Sequence, residues 1–268
     1  MPANTRLSVV RGEHHVSFSQ VSTYLMCSER FRLKYVKGLA PSHRPGEMVF
    51  GSAVHGAVAF LNEHLRVQGE APPVEAVQQK FLELLAAEVA GPIPVMWADD
   101  DTLATLEERG KAMLALYLES IKGTTVLAAE KPFRVEATRL PRAFRIEPAL
   151  VGVVDVIERD PDGTVYITEV KTAARKFDDV RLRYDLQLGV YAAVREELGI
   201  PQARLRFRVL LKTRQPRIET HVVRRDLADI TEAGRIVSQV LRAIEQRIFF
   251  PQRGWACSSC PYRSVCGE

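Results

Sequence analysis

The stretch LVGVVDVIERDPDGTVYITEVKT, residues 150–172, decides the fold of this chain. Two runs rich in β-branched residues flank the turn sequence RDPDG at 159–163, where Pro presets φ and Gly tolerates a positive φ. This pattern predicts a β-hairpin. Side chains two apart on a strand point the same way, so Glu169 and Lys171 share one face. If the turn pairs the strands symmetrically, Asp155 falls opposite residue 168 or 169.

The hairpin therefore brings two acids and an amine together near the end of an apolar ladder. Two carboxylates at such a place repel each other unless a cation lies between them. Mg²⁺ or a similar hard divalent ion prefers oxygen ligands and can polarise a phosphate. Lys171 can stabilise charge that develops on phosphoryl oxygens or orient an attacking water. The alternative is a salt-bridged surface hairpin, because a lone E-x-K on a strand is weak evidence for a site.

Two helices carry further candidate residues. The segment GSAVHGAV, residues 51–58, lies in a predicted helix from about 51 to 66 and contains His55. Gln187 and Tyr191 are four apart on a helix predicted from about 178 to 198, so they share a face. Taken alone, each of these features also fits an ordinary amphipathic helix.

Together these motifs resemble the PD-(D/E)XK nuclease superfamily and its RecB-like branch. GVVDVIE followed by ITEVKT is similar to the superfamily core, in which the first acid and the acid-x-Lys pair bind the metal and direct phosphodiester hydrolysis. The resemblance implies Mg²⁺ or Mn²⁺ ligands at His55, Asp155 and Glu169, a catalytic Lys171, and supporting roles for Gln187 and Tyr191. Many RecB-like members have Asp at the position of Glu169, which is a departure that bears on metal spacing.

The four cysteines fall in two places: Cys27 in the first predicted helix (19–36), and Cys257, Cys260 and Cys266 in a C-x2-C-x5-C pattern. Cytoplasmic disulfides are rare, which favours a metal site. Four thiolates can hold zinc or an iron–sulfur cluster, and spacing does not separate the two. The arrangement resembles the iron–sulfur staple of AddB-type nucleases, of the CRISPR-associated RecB-like nuclease and of the eukaryotic mitochondrial single-strand exonuclease. That resemblance favours a structural [4Fe–4S] cluster over zinc.

Charge is spread unevenly along the chain. The net charge is +4, yet residues 171–225 hold 14 Lys or Arg against 6 Asp or Glu. Such a local excess suits a polyanion such as nucleic acid, although a solvated basic surface is the alternative. The residues predicted to contact nucleic acid are Arg175, Lys176, Arg181 and Arg183, which follow Lys171, and Arg204, Arg206 and Arg208, which alternate along one face of a predicted strand.

These observations predict one α/β nuclease domain over 1–268. Its restriction-endonuclease-like PD-(D/E)XK core sheet is flanked by helices and carries a helical insertion at 67–123. A Cys-ligated iron–sulfur staple, formed by Cys27 and residues 249–268, joins the N-terminal helix to the C-terminal tail. Hydrophobic residues make up 46% and charged residues 26% of the chain, which excludes a disordered or fibrous protein.

The resemblance implies a metal-dependent deoxyribonuclease, with exonuclease or end-trimming action on single-stranded DNA. The alternative is a non-catalytic nucleic-acid-binding module with a structural zinc or iron–sulfur site. The chain lacks an apolar run long enough to span a bilayer, and the first 15 residues lack the apolar centre of a signal peptide, so we expect a cytoplasmic protein. The sequence leaves open a role in DNA repair, recombination or CRISPR adaptation, and any helicase or other protein partner.

Overall fold

The predicted hairpin forms the centre of the sheet. In the computed structural model, which describes residues 15–98 and 101–267, strands β5 (Ala149–Arg159) and β6 (Val165–Ala173) pair antiparallel, with Val156 opposite Thr168. Gly163 has φ of 83°, as the turn requires. Continued by one residue, this register places Asp155 opposite Glu169, as the sequence predicts.

The remaining elements follow in chain order. The strands are β1 (His15–Ser17), β2 (Arg44–Pro45), β3 (Val95–Met96), β4 (Thr125–Val135), β7 (Arg204–Leu211) and β8 (Arg217–Val223). The helices are α1 (Phe18–Met26), α2 (Ser28–Phe31), a π-helical turn (Arg32–Val36), α3 (Gly46–Gln68), α4 (Val74–Val89), α5 (Leu103–Ser120), α6 (Asp179–Tyr184), α7 (Leu186–Val194) and α8 (Leu227–Glu245). Short 3-10 turns lie at Ala137–Arg139, Trp255–Cys257 and Arg263–Val265.

The main sheet is mixed and leaves a gap beside β5. β4 pairs along one edge of β5 from residue 150 to residue 159. The other edge is shared by two strands: β1 pairs with residues 149–151 and β6 with residues 156–159. Among the strands that the structure describes, none pairs with residues 152–155 of β5 on that edge. β7 then adds in parallel to β6, and β8 adds antiparallel to β7.

Helices cover both faces of this sheet. One buried apolar cluster joins α1, α7 and α8 to the face that carries Ile167 and Phe207. A second cluster joins α3, α4 and α5 to the face that carries Val156, Val170 and Leu210. The segment 67–123, predicted as a helical insertion, supplies α4 and α5 of this second layer.

Two predicted helices are interrupted. The helix expected at 19–36 stops at Met26, because Cys27 has extended backbone (φ −164°, ψ 111°) and begins α2. The helix expected at 178–198 breaks at Asp185, which is also extended and whose carboxylate caps α7 by accepting from the Leu188 N–H. At both breaks the residue leaves the helical conformation, and its side chain caps the first turn of the next helix.

Within the described residues, none of the helices combines the length and the apolar character needed to cross a bilayer. Most of the N-terminal stretch used in the signal-peptide prediction, residues 1–14, lies outside the described residues.

Candidate active site

Asp155 lies at the gap beside β5. Its Oδ2 accepts a hydrogen bond from the Val170 N–H at 2.8 Å, which replaces the missing ladder contact to β6. The side chain is 15% exposed. Burial and the negative charge of Glu169 raise the pKa of Asp155 well above its usual value, against the opposing influence of the Val170 N–H and of Lys171. A cation placed here relieves that repulsion.

Glu169 and Lys171 contact each other and α7. The Lys171 Nζ donates to Glu169 Oε1 at 2.5 Å and to Gln187 Oε1 at 2.8 Å. The Tyr191 hydroxyl lies 2.7 Å from Glu169 Oε2 and 2.9 Å from the Val153 carbonyl oxygen, and it accepts from Gln187 Nε2 at 3.0 Å. Burial and the charge of Glu169 raise the pKa of Tyr191, so the hydroxyl stays a donor. Hydrogen bonds therefore connect four of the predicted residues in one network: Glu169, Lys171, Gln187 and Tyr191.

His55 reaches the same place from the opposite layer of helices. It lies on α3, and its Nδ1 is 3.7 Å from Asp155 Oδ2. Burial and the positive charge of Lys171 lower the pKa of His55 to about 4. The imidazole is therefore neutral at physiological pH and keeps a lone pair, as metal ligation requires.

Glu130 is a third carboxylate that the sequence analysis missed. The β4 register pairs Ala129 with Val156 and Lys131 with Val154, so Glu130 lies opposite Asp155. Its φ is 46°, in the region that non-glycine residues rarely adopt. Burial and the charge of Glu169 raise the pKa of Glu130. No local sequence signal marks this residue, because its place opposite Asp155 is set by the pairing of β4 with β5 and not by a local motif.

The described residues of the chain contain no group of three or more His, Cys, Asp and Glu side chains close enough together to hold a metal ion as they stand. Around Glu169, both carboxylate oxygens are already engaged by Lys171 and Tyr191. The donors available at this site are the carboxylates of Asp155 and Glu169 and the neutral imidazole of His55, with Glu130 as a further carboxylate beside them. This set suits a hard or borderline divalent cation.

A basic cleft adjoins this network where β6 ends. Arg175 and Lys176 are exposed and line it together with Arg181 and Lys212. The Arg181 guanidinium lies 3.6 Å from the centre of the Phe177 ring, and Lys212 is paired with Asp101. Arg183 is bonded to Asp229 on α8. Of the predicted nucleic-acid contacts, Arg175 and Lys176 thus combine exposure, charge and nearness in sequence to Lys171.

The prediction of a basic strand face on β7 is wrong for two of its three arginines. Arg206 and Arg208 are only 4% and 2% exposed, because α3 and α5 cover that face. Arg204 is exposed, but it lies opposite Tyr166 on β6. Tyr166 is five residues before Lys171, so Arg204 is about 16 Å from Lys171 along the strand direction. The alternation of side chains along β7 predicts that these arginines share one face of the strand. It does not predict that helices cover this face.

Arg206 and Arg208 belong to a buried ion cluster around Glu158, which is fully buried. Glu158 accepts from Arg206 at 2.6 Å and from Arg208 at 2.8 Å, and Thr168 donates to it as well. Arg206 also pairs with Asp160 at 2.8 Å. A fully buried carboxylate needs partners of this kind, since an unpaired buried charge is strongly unfavourable.

All four cysteines line one small pocket. Cys27, Cys257, Cys260 and Cys266 surround it together with Arg30 and Arg253. All four thiols are free and partly exposed. Burial raises the pKa of the Cys266 thiol, and Cys27 and Cys260 add to this, while Arg253 opposes it. Cys27 thus lines the same pocket as cysteines 230 or more residues later in the sequence, but among the described residues these thiols do not lie close enough together to form a metal-binding group as they stand.

Hydrogen bonds hold the C-terminal tail against the first helices at this pocket. Ser28 N–H donates to Gln252 Oε1 at 2.7 Å, and Ser28 Oγ is 3.0 Å from both the N and the O atoms of Phe250. Tyr24 donates to the Ile248 carbonyl at 2.6 Å. Tyr262 is buried, and its hydroxyl donates to the Leu39 carbonyl.

Comparisons with known proteins agree with this geometry. A family model described as the PD-(D/E)XK nuclease superfamily matches residues 15–267. Among solved structures, a candidate exonuclease from Eubacterium rectale has 14% identity and a TM-score of 0.55, over 94% of this chain and 88% of that one. The structure of SSO0001 has 14% identity and a TM-score of 0.45, over 97% of this chain and 89% of that one. At such identities the likeness concerns the fold alone. No curated protein matches the chain.

Proposed function

Because the chain belongs to the PD-(D/E)XK nuclease superfamily, we propose that it hydrolyses phosphodiester bonds in DNA with the help of Mg²⁺ or Mn²⁺. The observation that carries the proposal is the convergence of Asp155, Glu169 and Lys171 at the gap beside β5. A non-catalytic binding module has no need for two mutually repelling carboxylates and a lysine at one buried point.

The residues at the gap fit a divalent cation. Asp155 and Glu169 would supply carboxylate oxygens, and His55 would supply a neutral imidazole nitrogen. One of the hydrogen bonds that Lys171 and Tyr191 now make to Glu169 would break so that a carboxylate oxygen can bind the ion. A bound divalent cation supplies Lewis-acid polarisation of a phosphoryl oxygen. It also offsets the repulsion that now raises the pKa of Asp155.

The protein's own groups would position the reactants. Lys171, held by Gln187 at 2.8 Å, presents an ammonium that can orient the attacking water or donate to the phosphoryl oxygens as negative charge develops. Arg175 and Lys176 would hold the neighbouring phosphates, which gives affinity without base recognition. In-line attack would then break the bond to the leaving oxygen.

We further propose exonuclease or end-trimming action on single-stranded DNA. The support is the resemblance of the motifs to RecB-like enzymes and the fold likeness to a candidate exonuclease. The test uses purified protein with Mn²⁺, an EDTA control, and three substrates: an end-labelled linear strand, the same strand blocked at one end, and a circular strand. We expect cleavage of the linear strand, with a dependence on which end is blocked, and an intact circle.

Discrete internal cuts in the circle would instead identify an endonuclease. Tight binding of DNA without any Mn²⁺-dependent cleavage would identify the non-catalytic binding module and reject the enzyme.

Tyr191 acts as a positioning residue in this proposal. Tyr191→Phe removes the hydroxyl that lies 2.7 Å from Glu169 Oε2. Because groups that orient metal ligands typically contribute 10–100-fold to metal affinity, we expect the Mn²⁺ concentration for half-maximal cleavage to rise about tenfold or more. Measuring the cleavage rate over a range of Mn²⁺ concentrations gives this half-maximal concentration for each variant.

The matched control is Tyr24→Phe, which also removes one tyrosine hydrogen bond, at 2.6 Å to Ile248 O, but in the contact between α1 and the C-terminal tail. An equal Mn²⁺ requirement for the two variants would contradict the positioning role, because a purely structural loss does not shift metal affinity.

For the cysteine pocket we propose a structural [4Fe–4S] cluster ligated by Cys27, Cys257, Cys260 and Cys266. The support is that four free thiols line one pocket between the first helices and the tail. Several irons bridged by sulfide are ligated by thiolates that lie further apart than ligands of a single ion. Such a cluster would link residues about 230 apart in sequence and so restrict the unfolded chain.

Cys27→Ser tests this proposal. We expect anaerobically purified wild-type protein to show an absorption band at about 400 nm and to contain stoichiometric iron and sulfide, as thiolate-ligated iron–sulfur centres do. We expect Cys27→Ser to lose both the band and the iron and sulfide. Thermal unfolding should also shift to lower temperature in the variant. Colourless wild-type protein that contains zinc would overturn the cluster assignment while leaving a thiolate clamp in place.

A further inference from the structure

A second basic cleft lies between α8 and the loop that precedes β5. Arg142 and Arg145 form one wall and Arg235 and Arg242 the other, around a volume of about 550 Å³. All four arginines are exposed. None of them lies in the charge-rich segment 171–225, and none lines the cleft beside Lys171. These four arginines are spread over 100 residues of sequence, so no local pattern indicates this surface.

The four guanidinium groups are unused within the part of the chain that the structure describes. None of them has a hydrogen bond, ion pair or ring contact there, in contrast to Arg183, Arg206 and Arg208, each of which pairs with an acid. The described residues that line the cleft include no acidic side chain. Four positive charges that face a shared cleft without counter-charges repel one another, and a bound anion offsets that repulsion.

The two walls of this cleft are fixed to each other. Gly234 on α8 allows a close approach, because a Cβ there would lie 2.7 Å from the Phe144 ring and 2.8 Å from the Ala143 backbone. Ser238 Oγ lies 3.1 Å from the Ala143 carbonyl oxygen, and Phe144 is buried in the core. The cleft is therefore preformed, which lowers the entropy lost when a ligand binds.

The segment that leads into α8 contacts α6 and the start of α7 directly. Arg225, just before α8, donates to the Leu182 carbonyl at 2.8 Å and to the Asp185 carbonyl at 3.3 Å. Asp185 in turn caps α7, which carries Gln187. Along α8, Arg235 and Arg242 are seven residues apart, about 10 Å, so the basic wall extends over roughly two helical turns.

We propose that this cleft binds the phosphodiester backbone of a nucleic-acid strand outside the active site. The proposal rests on the proposed function for the identity of the polyanion. Arginine suits this ligand because its planar guanidinium makes bidentate hydrogen bonds to phosphate. Two pairs of arginines on facing walls can contact phosphates of one strand from both sides. A long strand would contact both this cleft and the site beside Lys171, and would bind more tightly for that reason. A short strand would be held only beside Lys171.

The test measures binding in EDTA, so that the result does not depend on cleavage. The cleft variant is Arg235→Ala with Arg242→Ala, both on the exposed face of α8, where Ala favours the helix. A second variant is Arg142→Ala with Arg145→Ala, on the other wall. The matched control is Lys80→Ala with Lys122→Ala, which makes the same change in charge on α4 and at the end of α5. The ligands are single strands of about 6 and about 30 nucleotides, which bracket common site sizes.

We expect both cleft variants to weaken binding of the long strand about tenfold or more and to reduce the length dependence of affinity, while the control resembles wild type. Loss of two phosphate contacts should also make the plot of log K against log salt shallower by about 1.4. Unchanged long-strand affinity in both cleft variants would overturn the proposal. The same holds if the cleft and control variants weaken binding equally.

An acidic peptide is the competing ligand class. If poly-glutamate binds wild type, fails to bind the cleft variants and leaves long-strand binding unaffected, the cleft is a protein-binding surface and the nucleic-acid proposal is wrong. Because this test scores binding, a failure of hydrolysis at Lys171 leaves its outcome readable.

Discussion

We expect Lys171→Ala to abolish cleavage while DNA binding stays nearly intact. The Lys171 Nζ contacts Glu169 and Gln187 at 2.5 and 2.8 Å, so its ammonium is fixed at the gap beside β5 where the scissile phosphate would lie. Loss of one preorganised donor to developing charge typically lowers kcat by 10²–10³, and we expect a loss of about a thousandfold or more here. Single-turnover cleavage with saturating protein measures this step apart from binding.

A companion variant, Lys171→Met, keeps most of the aliphatic chain and should lose activity to the same extent. Lys122→Ala, an exposed lysine at the end of α5, is the matched control for loss of one positive charge. Circular dichroism verifies folding of each protein. If Lys171→Ala folds normally but loses binding and cleavage together, the catalytic role assigned to this lysine is wrong.

The second large effect concerns stability. We expect Glu158→Ala to lower the free energy of unfolding by about 3–5 kcal/mol, because it leaves Arg208 buried without its carboxylate partner. Arg206 keeps Asp160 at 2.8 Å, so Arg208 is the residue that carries most of the loss. Urea denaturation followed by fluorescence and circular dichroism measures the change.

The control for this variant is Glu245→Ala, an exposed acid at the end of α8, which should change stability by less than about 0.5 kcal/mol. An equally small effect of Glu158→Ala would mean that water reaches Arg208, in contradiction to its 2% exposure.

Residues close in sequence were placed well from the sequence. The turn at 159–163 sets the register of β5 against β6, and that register brings Asp155 to Glu169. The four-residue spacing of Gln187 and Tyr191 likewise places both beside Glu169 and Lys171, because both lie on the single helix α7. Local geometry decides these positions, so periodicity and turn chemistry predict them.

Positions that depend on tertiary packing were not predicted. Arg206 and Arg208 alternate with apolar residues as a solvated basic face would, and nothing local tells that α5 covers them or that Glu158 neutralises them. Glu130 departs from regular strand geometry at a bend. For Asp185, a signal was present: an Asp three residues before Leu188 is a typical helix cap, and it marks the break between α6 and α7.

The hydrogen bonds between Ser28 and Phe250 join residues that are 222 apart in sequence. During synthesis on the ribosome, α1 and α2 emerge long before the segment that covers them, so Tyr24 and Phe31 lack part of their packing until Phe249 has been synthesised. The nascent chain can assemble its sheet from local hairpins in the meantime. Full docking of the first helices thus waits for a segment more than 200 residues later in the chain.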